Sequence, residues 1–147
     1  MKLSLQSDYS LRILMFAAIH SPARITVDQV ARANGISRNH LVKIVHKLGK
    51  AGYLHTHKGS GGGFTLAHAP DTISLADIIR IGEQDDRVIT CIDHGAACRL
   101  LPDCRLRGVL DRAADAFFAV LGQHTLQDLV AQPSSLYSLL ERTGPAS

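Results

Sequence analysis

Thr26-Val-Asp-Gln-Val-Ala-Arg-Ala-Asn-Gly-Ile-Ser-Arg-Asn-His-Leu-Val-Lys-Ile-Val-His-Lys-Leu-Gly-Lys-Ala51 reads as two helices joined by a tight turn. Thr26, three residues before Gln29, forms a capping box that opens one helix through about Ala33. Asn34-Gly35 makes the turn, and Ser37 is expected to cap a second helix running to about Ala51. This is the pattern of a helix-turn-helix. In the second helix Leu41, Ile44, Val45 and Leu48 recur at spacings of three and four, which builds an inward stripe. Asn39, Lys43, His46 and Lys50 fall on the opposite face, flanked by Arg38, His40 and Lys47. A solvated amphipathic helix is the ordinary source of such a pattern. This face carries no acid, however, and its Asn, His, Arg and Lys side chains are donors suited to base edges and phosphates, which favours a recognition helix.

Upstream, Asp8 to Ile19 reads as a largely buried helix that ends before Pro22, because the residue preceding proline is pushed away from helix. Downstream, Gly52 to Ala67 contains two short strands around the glycine-rich tip Lys58-Gly-Ser-Gly-Gly-Gly63, the layout of a wing. No Gly-Lys-Ser/Thr and no following helix accompany these glycines, so a phosphate-cradling nucleotide loop is disfavoured. His55, His57 and Lys58 are expected along the DNA backbone.

After Pro70, Ser74 with Asp77 three residues on marks another helix start, with Ile73 and Ile78 as a hydrophobic staple and an end near Gly82. Residues 83 to 103 keep no sustained period, and a loop of that length inside a small domain suggests function. From Cys104 a long helix is expected to about Leu121, with Leu106, Val109, Leu110, Ala113, Phe117, Val120 and Leu121 on one side. That stripe exceeds what a small winged helix can cover alone, which points to a dimerisation helix. Thr125 then caps a short turn through Val130, and the tail ending Gly144-Pro-Ala-Ser147 reads as disordered.

The 147 residues, 46% of them hydrophobic, suffice for one modest core with an appended element. No apolar run approaches the roughly 18 residues needed to span a bilayer, and the first residues lack a signal-peptide pattern, so a cytoplasmic protein with no membrane partner is expected. Charge is unevenly distributed. Residues 1–70 carry nine Lys/Arg against two Asp/Glu, and residues 71–147 carry seven against eleven. The basic half is the one suited to a polyanion.

Cys91, Cys98 and Cys104 are the only cysteines and lie within fourteen residues. An odd count in a reducing compartment argues against a disulfide framework. Scattered cysteines are ordinarily buried thiols; three in one loop rich in small residues suggest ligands. A zinc site could add His94 or an Asp, yet the spacings are wider than those of zinc knuckles. A redox switch would use a close resolving pair. Iron-sulfur clusters accept variable spacing and a non-cysteine fourth ligand, which favours them here. Cys104 also opens a helix beside Arg99, Arg105 and Arg107, a setting suited to an anionic ligand atom.

Together these features resemble the winged-helix iron-sulfur repressor family, and within it the nitric-oxide-sensing branch. The resemblance runs through Asp8-Tyr-Ser-Leu-Arg12, Ser37 to Ile44, Ala51-Gly-Tyr53, Gly61-Gly-Gly63, the cysteine triad with Cys104-Arg-Leu106, and Thr125 to Val130. It implies a homodimer that binds double-stranded operator DNA with its cluster intact and releases it when nitric oxide nitrosylates the cluster. It further implies that Cys91, Cys98 and Cys104 are the thiolate ligands and that Asp8, from the other subunit's first helix, completes a [4Fe-4S] cluster. The family commonly has five or fewer residues between the first two cysteines and this chain has six, so a related regulator sensing iron-sulfur status, iron or redox through a [2Fe-2S] cluster is the alternative.

The fold expected is mainly α with a small β-wing, a winged helix-turn-helix plus a long C-terminal dimerisation helix. Its divisions are a DNA-binding domain (1–82), a cluster-binding loop (83–104), the dimerisation helix with its following turn (105–131) and a tail (132–147). Candidate DNA-binding residues are Arg38, Asn39, His40, Lys43, Lys47 and Lys58; candidate metal ligands are Cys91, Cys98, Cys104 and Asp8. A small metalloenzyme or electron-transfer protein lacks support, because no catalytic base, substrate pocket or cofactor fingerprint is evident, and none of these residues is assigned a catalytic role.

Overall fold

The computed structural model describes residues 2–83, 104–132 and 138. Its first helix, α1 (Leu5–Ile19), begins three residues earlier than the hydrophobic pattern places it. Ser4 is the N-cap, its hydroxyl accepting from the Ser7 N–H at 3.2 Å, and Asp8 falls in the first turn. The pattern missed this start because the first turn is held by polar capping rather than by apolar periodicity. Along α1, Ile13, Leu14, Phe16 and Ala17 are buried and form the centre of the main core.

Helix α2 (Val27–Asn34) carries the expected capping box, with the Thr26 N–H donating to Gln29 Oε1 at 2.7 Å and the Gln29 N–H to Thr26 Oγ1 at 3.3 Å. It ends at Gly35, whose φ of 64° is a left-handed conformation that glycine adopts without steric cost. Helix α3 (Arg38–Lys50) follows. Ser37 does occupy its N-cap position, but its side chain makes no capping bond, a correction to the sequence expectation. The α3 start is set instead by the turn at Gly35 and by burial of Leu41, Ile44, Val45 and Leu48 against α1 and α2.

Strands β1 (Leu54–His57) and β2 (Gly63–Leu66) pair antiparallel, with Leu54 opposite Leu66 and His57 opposite Gly63. A single bridge attaches Ile25 to Phe64, the two residues exchanging backbone bonds at 2.8 and 3.0 Å, which ties the wing to the link before α2. Leu54 and Phe64 sit in the same core as α1 and α3. A 3-10 turn at Pro70–Thr72 leads to α4 (Leu75–Glu83), where Ile73 and Ile78 are buried as the staple requires.

Helix α5 (Arg105–Leu121) rests on α4 through Phe118. Phe118 packs with Ala76 and Ile79, and the Arg80 guanidinium stands 4.5 Å from its ring centroid. Helix α6 (Leu126–Val130) then returns to the winged-helix core: Leu126 is fully buried there, its N–H donates to Ile73 O at 2.9 Å, and Ser74 bridges Thr125. The chain segment after α5 thus shares the core of the DNA-binding unit. The expectations for residues 84–103 and for the tail fall outside the described residues.

Candidate nucleic-acid interface and metal ligands

Burying one stripe of α3 leaves the other outward. Arg38, Asn39, His40, Lys43 and His46 are exposed, and no carboxylate shares their helix. Val42, not singled out from sequence, stands on this face at 40% exposure, one turn from Arg38 and His46. An apolar side chain there is available to a thymine methyl. It was overlooked because a valine beside an inward stripe reads as core.

The remaining candidates differ in how they are held. Lys47 is half-buried and its Nζ donates to Gln6 Oε1 at 3.0 Å, so it joins α3 to the start of α1. Arg38 Nε donates to Asp28 Oδ1 at 2.9 Å, linking the first turns of α3 and α2. Lys58 is exposed at the end of β1, followed by left-handed Gly59 and Gly61 at the wing tip. Arg24 Nη1 donates to Gly61 O at 2.9 Å and fastens that tip to the body; the sequence carried no sign of this pairing, since its partners are 37 positions apart. His55 is exposed and His57 half-buried on the same hairpin.

Between α1 and α3 lies an apolar recess lined by Leu5, Gln6, Tyr9, His40, Lys43 and Ile44. One turn away, Asp8 accepts from Arg12 Nε through both carboxylate oxygens at 3.0 and 3.1 Å, an exposed pair. The α1 terminus is also clasped by α4. Glu83 Oε1 accepts from the Ser4 N–H at 2.8 Å and from Ser7 Oγ at 2.6 Å, and Ser7 is wholly buried. Burial pushes the Glu83 carboxyl up, but the bonds from Ser7 and Ser4 together outweigh that and hold it below its usual value.

Cys104 is the N-cap of α5, a half-buried free thiol whose side chain makes no capping bond. Cys91 and Cys98 lie outside the described residues, and among the described residues no cluster of three or more His, Cys, Asp or Glu could hold a metal ion. The donor chemistry of the full set, three thiols and one carboxylate, suits an iron-sulfur cluster more than an all-oxygen cation site.

A family model for iron-dependent transcriptional regulators, Rrf2, matches residues 3–132. The chain belongs to the Rrf2 family. It is 38% identical over 143 residues to the HTH-type transcriptional regulator NsrR of Bacillus subtilis, covering 96% of this chain and 98% of that protein. It is 41% identical over 147 residues to NsrR of Geobacillus kaustophilus, covering 98% and 100%. The structure of CymR, the global cysteine regulator of B. subtilis, superposes with a TM-score of 0.73 at 29% identity, over 89% of this chain and 97% of that one. T. potens IscR has the same fold, with a TM-score of 0.68 at 23% identity over 89% of this chain and 87% of that one. The winged-helix fold and the reading of this chain as a DNA-binding transcriptional regulator rather than an enzyme therefore stand. No helix among the described residues is long and apolar enough to cross a membrane.

Proposed function

We propose that this Rrf2 regulator is a cytoplasmic homodimeric repressor that binds operator DNA while it holds an iron-sulfur cluster, [4Fe-4S] in preference to [2Fe-2S], and releases it in response to nitric oxide. The observation that carries the reading is the position of α1. It bears Asp8, it is packed against recognition helix α3 and joined to it by Lys47 and Gln6, and it is clasped by the end of α4 just before the cysteine segment begins. A change in how Asp8 is held is thereby passed to α3. The NsrR names of relatives 38–41% identical and the family's iron dependence support the same reading.

In this reading Cys91, Cys98 and Cys104 hold the cluster of one subunit and Asp8 of the partner completes it. Bound there, the cluster would supply an iron whose carboxylate ligand is more readily displaced than a thiolate, and so accessible to a small diatomic. Arg38, Asn39, His40 and Lys43 read base edges from the N-terminal half of α3, and Lys47 and Lys58 add positive charge toward phosphates. The exposed side of α5, with Leu106 at 62%, Val109 at 52% and Val120 at 57% exposure, pairs the subunits.

The test is the visible absorption spectrum and the iron and sulfide content of anaerobically purified protein, for wild type and for single Cys→Ala variants at 91, 98 and 104. Wild type is expected to be coloured and each variant colourless, whereas Asp8→Ala keeps a cluster with a changed spectrum. Iron-free protein recovered from iron-replete cells, or full cluster content in a cysteine variant, would contradict the assignment.

A further inference from the structure

Between residues 20 and 70, Asp28 is the only carboxylate among seven Lys and Arg side chains. On a surface that approaches phosphates, a lone acid weakens binding. Its seat in the first turn of α2 gives the ordinary benefit of an acid near a helix N-terminus, and that benefit needs no partner. Asp28 nevertheless has one. Its Oδ1 accepts from Nε of Arg38, the first residue of α3, at 2.9 Å across the helix-turn-helix.

The two side chains are 60% and 62% exposed, so the pair contributes little to stability. What it fixes is direction. Only Nε is engaged; the terminal nitrogens of Arg38 are uncommitted among the described residues. Those terminal N–H groups can bond guanine O6 and N7 together, the commonest specific contact of the major groove. A tethered guanidinium also loses less side-chain freedom on docking than a loose one.

We propose that Asp28 is a positioning residue for base recognition, holding Arg38 so that its outer edge reads a guanine, with the first helix of the motif thereby setting specificity for the second. This deepens the proposed function and rests on α3 being the recognition helix.

Full-length, anaerobically purified protein is used to select from duplexes with a randomised centre. The preferred duplex and its single-base variants are then titrated with wild type, Asp28→Asn, Asp28→Glu, Arg38→Ala and the Asp28→Asn/Arg38→Ala double variant. Arg38→Ala should flatten preference at one G·C pair of each half-site. Asp28→Asn should lose about 5- to 10-fold of discrimination at that same pair, Asp28→Glu should recover part of it, and the double variant should lose no more than Arg38→Ala alone. An Asp28→Asn protein that binds all duplexes more tightly by one common factor, with base preferences intact, would show that Asp28 acts only as a repelling charge and overturn the proposal. So would a loss of preference at a pair that Arg38→Ala leaves unchanged. Failure of the wild type to select any sequence would instead defeat the DNA-binding reading itself.

Discussion

Asn39 and Lys58 offer the simplest test of the two kinds of DNA contact proposed for this chain. Asn39 is exposed near the start of α3, where side chains reach base edges, and Lys58 is exposed on the wing. Asn39→Ala should cost about 1–3 kcal/mol of operator binding and relax base preference, while Lys58→Ala should weaken all sequences alike and reduce the salt slope by about one. Titrations at several salt concentrations separate the two; an unaltered preference in Asn39→Ala would place recognition elsewhere. Glu83 makes a different point at the same scale. Because its folded carboxyl is held below the ordinary glutamate value of 4.5, its stabilising effect is complete above that pH and is lost as pH falls through the lowered value. The stability advantage of wild type over Glu83→Gln, measured by urea unfolding, should therefore shrink as the solution is acidified below the ordinary glutamate value of 4.5. A constant difference would show that Glu83 is not ionised in the clasp. Behind it, a Cβ at Gly82 would lie 2.6 Å from Ser7 Cα and 2.7 Å from Ser7 N, so Gly82→Ala should destabilise by about 1–3 kcal/mol through forced separation of α1 and α4.

Among the elements, α5 shows best what the sequence could and could not convey. The spacing of Leu106, Val109, Leu110, Ala113, Phe117, Val120 and Leu121 identified an apolar stripe, and most of it is outward. The buried face of α5 is narrower, holding only Ala114 and Phe118, of which Phe118 packs on α4, and it was hidden beside the longer stripe. Phe117 straddles both: it is half-buried against the α4 cluster, its ring centroid 5.2 Å from that of Phe118. A charge at Phe117 would therefore disturb the subunit as well as any dimer. Val109, which is 52% exposed, is the cleaner probe. Val109→Asp should give a folded monomer in sedimentation, with weakened binding to an inverted-repeat operator; an unchanged dimer would remove α5 from the interface. The other helices follow the same division between local and distant causes. The Thr26–Gln29 capping box and the Asn34-Gly35 turn are written in neighbouring residues and could be read directly. The α1 start was obscured because Ser4 is held by Glu83, 79 positions away, and the Asp28–Arg38 pair depends on how two helices are set against each other. For the candidate metal ligands, residue type and grouping pointed to the three cysteines and the family resemblance alone to Asp8; the fold places Asp8 and Cys104 at two helix starts.

At the scale of the whole molecule, one helix, α1, packs against both α3 and α4. Since α1 packs on α3 and α4 and also carries Asp8, its register affects both ends of the proposed switch. The Asp8 carboxylate is paired with Arg12, its neighbour one turn on. The most direct measurement follows cluster absorbance and operator binding together in one anaerobic sample as nitric oxide is added, using fluorescence anisotropy of a labelled duplex. The account predicts that anisotropy falls in step with the bleaching of the cluster band, and that a variant lacking all three cysteines binds weakly from the outset without responding. Tight operator binding that persists after the band has gone, or a triple variant that binds normally and is still released by nitric oxide, would contradict it.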